Sequence, residues 1–261
     1  MSYSNDLSPK NVGTDEDDVM YVITRTGRRE ALDTNQITRR LQSLINRPPK
    51  IPHVNPYELM LEVCKGLKSG ITTYEIDEYA ANASASLSIT NPYYLKIAAR
   101  IAIDNHQKNT QRSFVDKMRT LYLNQDDQGK INSLIAQNFF KYVEEYQDFI
   151  ERTIDYNRDF YLDFFGFQTF IRSYSMKVDD KSIERPQDMF MRTAVDLHMG
   201  TCDTIEEELQ NIKTTYEALS LKFYTHASPT YYNAGSEKKQ YASCFLLGTR
   251  DSREGIMRTA D

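Results

Sequence analysis

Residues 19–46 read VMYVITRTGRREALDTNQITRRLQSLIN, and how this stretch divides decides the fold of the N-terminal region. Its first residues, through Ile23, alternate in the manner of a half-buried strand. Thr26-Gly27 follows, and glycine supplies the positive φ that a tight hairpin turn needs. A second short extended run leads to Leu32. The period then changes. Ile37, Leu41, Leu44 and Ile45 fall at helical spacing, with Thr34 or Asn35 expected as the N-cap. Arg47-Pro48-Pro49-Lys50 stops the helix, because proline has no N–H to donate and clashes with the preceding turn. The stretch is therefore expected to be a β-hairpin feeding an amphipathic helix.

Further helices are expected downstream. Residues 55–70, NPYELMLEVCKGLKSG, form one that ends at Gly70. Residues 71–89 form another, capped by Thr72 or Thr73, with Glu75 placed for a capping box. Residues 91–110 form a fourth, with Asn91 as cap and Pro92 at its first position. Together these make a module of a small sheet plus about four helices over residues 19–110. Residues 1–18 are polar and acidic without hydrophobic period, and are expected to be disordered. Beyond the module, DDQGK marks a loop, residues 134–150 read as helix, and the aromatic run at 158–176 reads as core. One helix should begin near Pro186 and a long one should occupy 204–224. YASCFLLGT, residues 241–249, reads as a short buried strand. The fold class is α+β and mainly helical.

Composition narrows the function. The 261 residues allow one large domain or two ordinary ones, and 40% hydrophobic with 26% charged residues suits a globular chain. A net charge of −5 argues against non-specific nucleic-acid binding, which needs excess lysine and arginine against phosphates. No apolar run approaches the roughly 20 residues needed to span a bilayer, so no membrane association is expected. The polar N-terminus resembles neither a signal nor a transit peptide. Cys64, Cys202 and Cys244 form no CxxC pair, so a reducing, cytoplasmic setting is expected. His53, His106, His198 and His226 are scattered, and no metal-ligand spacing appears.

Two places could carry chemistry. Arg25, Arg28 and Arg29 gather at a turn that leads into a helix start, which offers cations and free backbone N–H groups to a triphosphate. Thr73 and Asp77, at another helix start, could serve sugar or base groups. The plain alternative is a solvated basic turn, and no P-loop or GxGxxG motif is present. The second place is THASPTYYNAGSEKKQYASCFLLG, residues 225–248. Ser228-Pro229-Thr230 could be an ordinary turn or a set of neutral donors for a phosphate. Cys244 could be a small buried hydrophobe or a reactive thiol.

The motifs VITRTGRRE, NQIT, GLKSGITTYEIDEYAA and PYYLKIAARIAI, in that order, resemble an ATP-cone, the regulatory domain at the N-terminus of ribonucleotide reductase large subunits. The resemblance implies ATP or dATP as allosteric effectors, with contacts at Arg25, Glu30, Gln36, Thr73, Asp77 and Lys108. Thr24 and Gln36 stand where the family often has lysine, which implies weakened nucleotide affinity. The blocks YNRDFYLDFFGFQTFIRSYSMK, ERPQDMFMRTAV and THASPTYYNAG…ASCFLLG are similar to successive parts of the class I large subunit, of the eukaryotic and large-DNA-virus kind. By that resemblance, residues 111–224 form its helical N-terminal domain and residues 225–261 the first strands of its ten-stranded α/β barrel.

The same resemblance assigns roles. Ser228 and Ser243 would contact the substrate diphosphate, and Cys244 would be one member of the redox dithiol. Asp251 and Ser252 would contact the specificity effector. In the family a thiyl radical removes the ribose 3′-hydrogen, the 2′-hydroxyl leaves as water, and a cysteine pair supplies two electrons as it becomes a disulfide. Cys64 and Cys202 match no family cysteine and read as structural. Implied partners are ribonucleoside diphosphates, a second large subunit forming a dimer, a small radical-generating subunit that holds the metal centre, and thioredoxin or glutaredoxin. The partner cysteine, the radical cysteine and the C-terminal shuttle cysteines would lie beyond Asp261. The chain is therefore expected to reduce nothing by itself. A free-standing cone that senses nucleotides without catalysis is the alternative, and a nonfunctional remnant is a third.

Overall fold

In a computed structural model that describes residues 20–260, strands β1 (Tyr21–Ile23) and β2 (Arg29–Ala31) pair antiparallel, with Val22 opposite Glu30. Gly27 turns the hairpin at φ +78°. The segment expected to be disordered, residues 1–18, lies outside the described residues. Helix α1 (Thr34–Asn46) follows and buries Leu41, Leu44 and Ile45. Its cap is Asp33, not Thr34 or Asn35. Asp33 is extended, and its carboxylate accepts from Asn35 N at 2.8 Å, so the helix starts one residue earlier than hydroxyl and amide caps suggested.

Helix α2 (Pro56–Cys64) ends at Cys64, well before Gly70. The chain turns at Gly66, where a Cβ would meet the Tyr79 ring at 2.2 Å. Gly70, at φ +83°, instead introduces β3 (Ile71–Thr72). That short strand pairs parallel with β1, giving the order β2-β1-β3, and its Ile71 is buried. Helix α3 (Thr73–Leu87) begins with the capping box: Thr72 Oγ1 accepts from Glu75 N at 3.1 Å, and Glu75 accepts from Thr72 N at 2.9 Å. Asn91 caps α4 (Tyr93–Asn109) through Tyr93 N at 3.0 Å.

Two compact units divide within α4, the first ending at Ile101 and the second starting at Ala102. Leu41, Ile45, Leu59, Val63, Ile76, Ile97 and Ile101 form the core of the first. Arg100 closes the C-terminal end of α1 there, donating to Leu44 O at 2.7 Å and Arg47 O at 2.8 Å, carbonyls that a helix end leaves without partners.

The second unit is helical. It contains α5 (Phe114–Tyr122), α6 (Gln137–Glu145), α7 (Gln147–Thr153) and a 3₁₀ turn (Tyr156–Tyr161). Helix α8 (Phe164–Thr169) runs into a π-helical turn (Phe170–Tyr174). A small hairpin, β4 (Lys177–Val178) and β5 (Lys181–Ser182), precedes α9 (Pro186–His198) and α10 (Ile205–Ser220), which pack on each other. Phe114, Met118, Phe139, Val143, Ile150, Val195, Ile212 and Tyr216 make its core. The aromatic run is only partly core. Phe164, Phe167 and Phe170 are buried at helical spacing, whereas Tyr161 and Phe165 face outward.

The chain ends in α11 (Ser228–Asn233), a segment without regular structure, and α12 (Arg253–Ala260). The strand expected at 241–249 does not form, and no barrel strand appears among the described residues. Phe245, Leu246 and Leu247 are 69%, 103% and 72% exposed. A strand exists only by pairing its backbone donors and acceptors with a neighbour, and no described segment pairs with this one.

Candidate functional site

In the first unit, the structure brings Arg25, Thr73 and Asp77 together. The hairpin turn carries Arg25 toward the N-terminal end of α3, where Thr73 and Asp77 stand one turn apart. Arg25 Nη2 donates to Asp77 Oδ2 at 2.8 Å, and its Nη1 lies 3.5 Å from Thr73 Oγ1. Sequence reasoning missed a fourth member, Arg40 of α1. Its Nε donates to Asp77 Oδ1 at 2.7 Å and its Nη2 to Oδ2 at 2.8 Å. The Asp77 side chain is only 6% exposed. A carboxylate so far from water requires charge and hydrogen-bond compensation, and two guanidiniums supply it. The signal was present in the sequence: Arg40 shares the apolar face of Ile37 and Leu44, where a charge needs a partner.

The other basic side chains of the turn are used locally. Arg29 lies 3.6 Å from the centroid of the Tyr21 ring, and Arg28 Nε donates to Thr26 Oγ1 at 3.3 Å. Glu30, on β2, and Gln36, in the first turn of α1, are exposed. Lys108 falls in the second unit, paired with Asp104 at 2.8 Å.

In the second unit, Ser228 opens α11, and its hydroxyl shares a 2.8 Å hydrogen bond with that of Tyr174. Tyr174 ends the π-helical turn and stacks on Tyr232, ring centroids 5.2 Å apart. A cleft of about 380 Å³ opens beside this pair, lined by Phe170, Tyr174, Phe190, His226 and Tyr231. Burial lowers the pKa of His226. The position of α11 is set from below by Arg192. Its Nη1 donates to Tyr231 O at 3.1 Å and Ala234 O at 2.6 Å, while Nε and Nη2 grip Glu184 at 2.6 and 3.0 Å.

Ser243 and Cys244 are exposed on the irregular segment, with Ser243 Oγ 3.8 Å from Cys244 Sγ. Just upstream, the Tyr241 hydroxyl donates to Asp196, and Lys239 pairs with the same carboxylate at 2.7 Å. No hydrogen bond joins Ser243 or Cys244 to Ser228 among the described residues. The expected grouping of phosphate donors and thiol is thus anchored at one end and open at the other. Asp251 is exposed, and Ser252 Oγ accepts from Gly255 N at 3.0 Å at the start of α12. Cys64 and Cys202 are half-buried and free, and burial pushes the Cys64 thiol pKa up. Among the described residues, no group of three or more His, Cys, Asp or Glu side chains could hold a metal ion. No helix there is long and apolar enough to cross a membrane.

Comparison with known proteins gives two domain matches. Residues 20–109 match the ATP cone domain, and residues 160–239 match the all-alpha domain of ribonucleotide reductase. The chain is also similar to whole proteins. It is 38% identical over 242 residues to a ribonucleoside-diphosphate reductase large subunit of Arabidopsis thaliana, covering 92% of this chain and 29% of that protein. It is 39% identical over 243 residues to the one from Monkeypox virus, covering 92% and 30%. The Dictyostelium discoideum large subunit is 36% identical over 253 residues, covering 95% and 28%. The chain therefore spans less than a third of the length of these relatives.

Proposed function

We propose that this chain belongs to the ribonucleotide reductase large-subunit family and serves as the N-terminal part of a ribonucleoside-diphosphate reductase large subunit, because a match to the ATP cone is followed by one to the all-alpha domain of ribonucleotide reductase. The observation that carries this reading is the order and extent of the two matches, which share one chain with the Ser228 and Cys244 segment. A nucleotide sensor alone has no use for that segment.

Three segments follow from the proposal: a cone over residues 19–110, a helical domain over 111–224, and a contribution to the catalytic barrel from 225–261. The cone binds ATP or dATP as effectors. Arg25 meets the phosphates, Thr73 and Asp77 meet the sugar or base, and Glu30, Gln36 and Lys108 complete the contacts. Ser228 and Ser243 donate hydrogen bonds to the substrate diphosphate. Cys244 is one thiol of the pair that becomes a disulfide as the ribose loses its 2′-hydroxyl as water. The second thiol comes from the rest of the subunit. Asp251 and Ser252 meet the specificity effector. The assembled enzyme is a dimer of large subunits with a small subunit that holds the metal centre, is re-reduced by thioredoxin or glutaredoxin, and works in the cytoplasm.

Two measurements test this. Diphosphate reduction should appear only when the remainder of a large subunit and a small subunit are supplied. Reduction by the chain with the small subunit alone would overturn the division of labour. Calorimetry with ATP and dATP tests the cone, and no binding at millimolar nucleotide would remove it as an effector site. Most of the cone, as far as Ile101, falls in the first compact unit, which keeps the free-standing sensor as a second reading. That reading predicts nucleotide binding with no reduction in any reconstitution.

A further inference from the structure

We propose that Arg40 is a positioning residue that releases Arg25 for the effector's phosphates. The inference rests on the cone reading above. Asp77 has two partners of unequal grip. Arg40 holds it side-on through Nε and Nη2, at 2.7 and 2.8 Å. Arg25 holds it by Nη2 alone, at 2.8 Å on an oxygen that Arg40 already occupies. The paired fork is the stronger geometry. Arg25 is therefore the exchangeable partner. It sits at the tip of an exposed hairpin, and when it leaves, Asp77 stays compensated by Arg40. A triphosphate oxygen can then replace the carboxylate as its partner.

Removing Arg40 changes the balance. Asp77, 6% exposed, would keep only Arg25, and pulling Arg25 away would leave a buried carboxylate without compensation. Arg25 would be locked in the ion pair, and phosphate affinity would fall although Arg40 touches no phosphate. Removing the Asp77 charge as well would unlock it.

The test is calorimetry on the 261-residue chain with two probes, ATP and inorganic tripolyphosphate, which has no base or sugar. Arg40→Gln should weaken tripolyphosphate binding about tenfold or more, about 1.4 kcal/mol, the scale on which one charge-assisted hydrogen bond acts. Asp77→Asn should tighten it. The double variant should bind as Asp77→Asn does, and Arg25→Gln should abolish binding. Thermal unfolding of each variant reports whether it is folded. A double variant as weak as Arg40→Gln would show that Arg40 itself holds phosphate, and an unchanged Arg40→Gln would show that it has no part. Either overturns the inference. If Arg40→Gln does not fold, Asp77→Asn decides: binding that is unchanged or weaker overturns it. An unsubstituted chain that binds neither probe sinks the cone reading instead.

Discussion

The hydroxyls of Tyr174 and Ser228 are 2.8 Å apart, one at the end of a π-helical turn and the other at the first position of α11. Stacking on Tyr232 holds the tyrosine ring in place. Tyr174 thus restricts the direction of the Ser228 hydroxyl, the group proposed above to meet the substrate diphosphate. In a reconstituted reductase, Tyr174→Phe should raise KM for the nucleoside diphosphate about 2- to 10-fold, the range of one hydrogen bond, with kcat nearly unchanged. A fall in kcat at constant KM would place Tyr174 elsewhere in the mechanism.

Arg192 and Glu184 are both fully buried, and Arg192 also ties down the last carbonyls of α11. Arg192→Met leaves Glu184 without its counter-charge and those carbonyls without donors. The expected loss is about 3–5 kcal/mol in a chemical denaturation series. A loss below about 1 kcal/mol, the range of an exposed ion pair, would contradict the burial seen here.

Two buried groups in the second unit give opposite pH dependences. Burial lowers the His106 pKa from 6.5 to about 4, although its Nε2 lies 2.8 Å from Glu184 O. Because the folded value is depressed, the unfolded chain takes up a proton first, and His106 costs stability as pH falls from 6.5 toward 4. Burial raises the Asp159 pKa from 3.8 to about 7, against hydrogen bonds from Gln107 and the Gln187 N–H. Its stabilisation is present below 3.8 and is lost as pH rises toward 7. The two slopes oppose each other between about pH 4 and 6.5. His106→Gln should therefore make stability fall with rising pH across that window, and Asp159→Asn should make it fall with falling pH. Denaturation midpoints at several pH values read both, and parallel curves for the two variants would refute the assignment.

Cys244 is exposed, whereas Cys64 and Cys202 are half-buried and the Cys64 thiol is pushed up by burial. The thiolate is the reactive form, so iodoacetamide at neutral pH should label Cys244 first and Cys64 more slowly. Peptide mass analysis after brief labelling checks the order. Prior labelling of Cys64 would mean that the segment after Tyr241 is covered.

The local architecture was legible in the sequence because its causes are local. Gly27 at the hairpin turn, the Thr72–Glu75 capping box, the Asn91 cap and the start of α9 at Pro186 all depend on residues a few positions apart. Motif order likewise carried the resemblance to the ATP cone and to the all-alpha domain of ribonucleotide reductase, and both matches are found. Two local readings failed where a distant group intervened. Helix α2 stops at Cys64, and the Tyr79 ring leaves no room for a side chain at the following Gly66, while Ile71 joins a sheet because β1 lies beside it.

The sequence by itself determined the hairpin, the starts of several helices, the resemblance to two known domains and the residue types of the candidate sites. Only the tertiary structure decided what those residues do to one another. Arg40 completes the Asp77 cluster from another helix, Tyr174 reaches Ser228 from far along the chain, and the 241–249 segment stays open because no described strand pairs with it. Hydrogen bonds and ion pairs between distant residues depend on where helices pack, and no local periodicity encodes that.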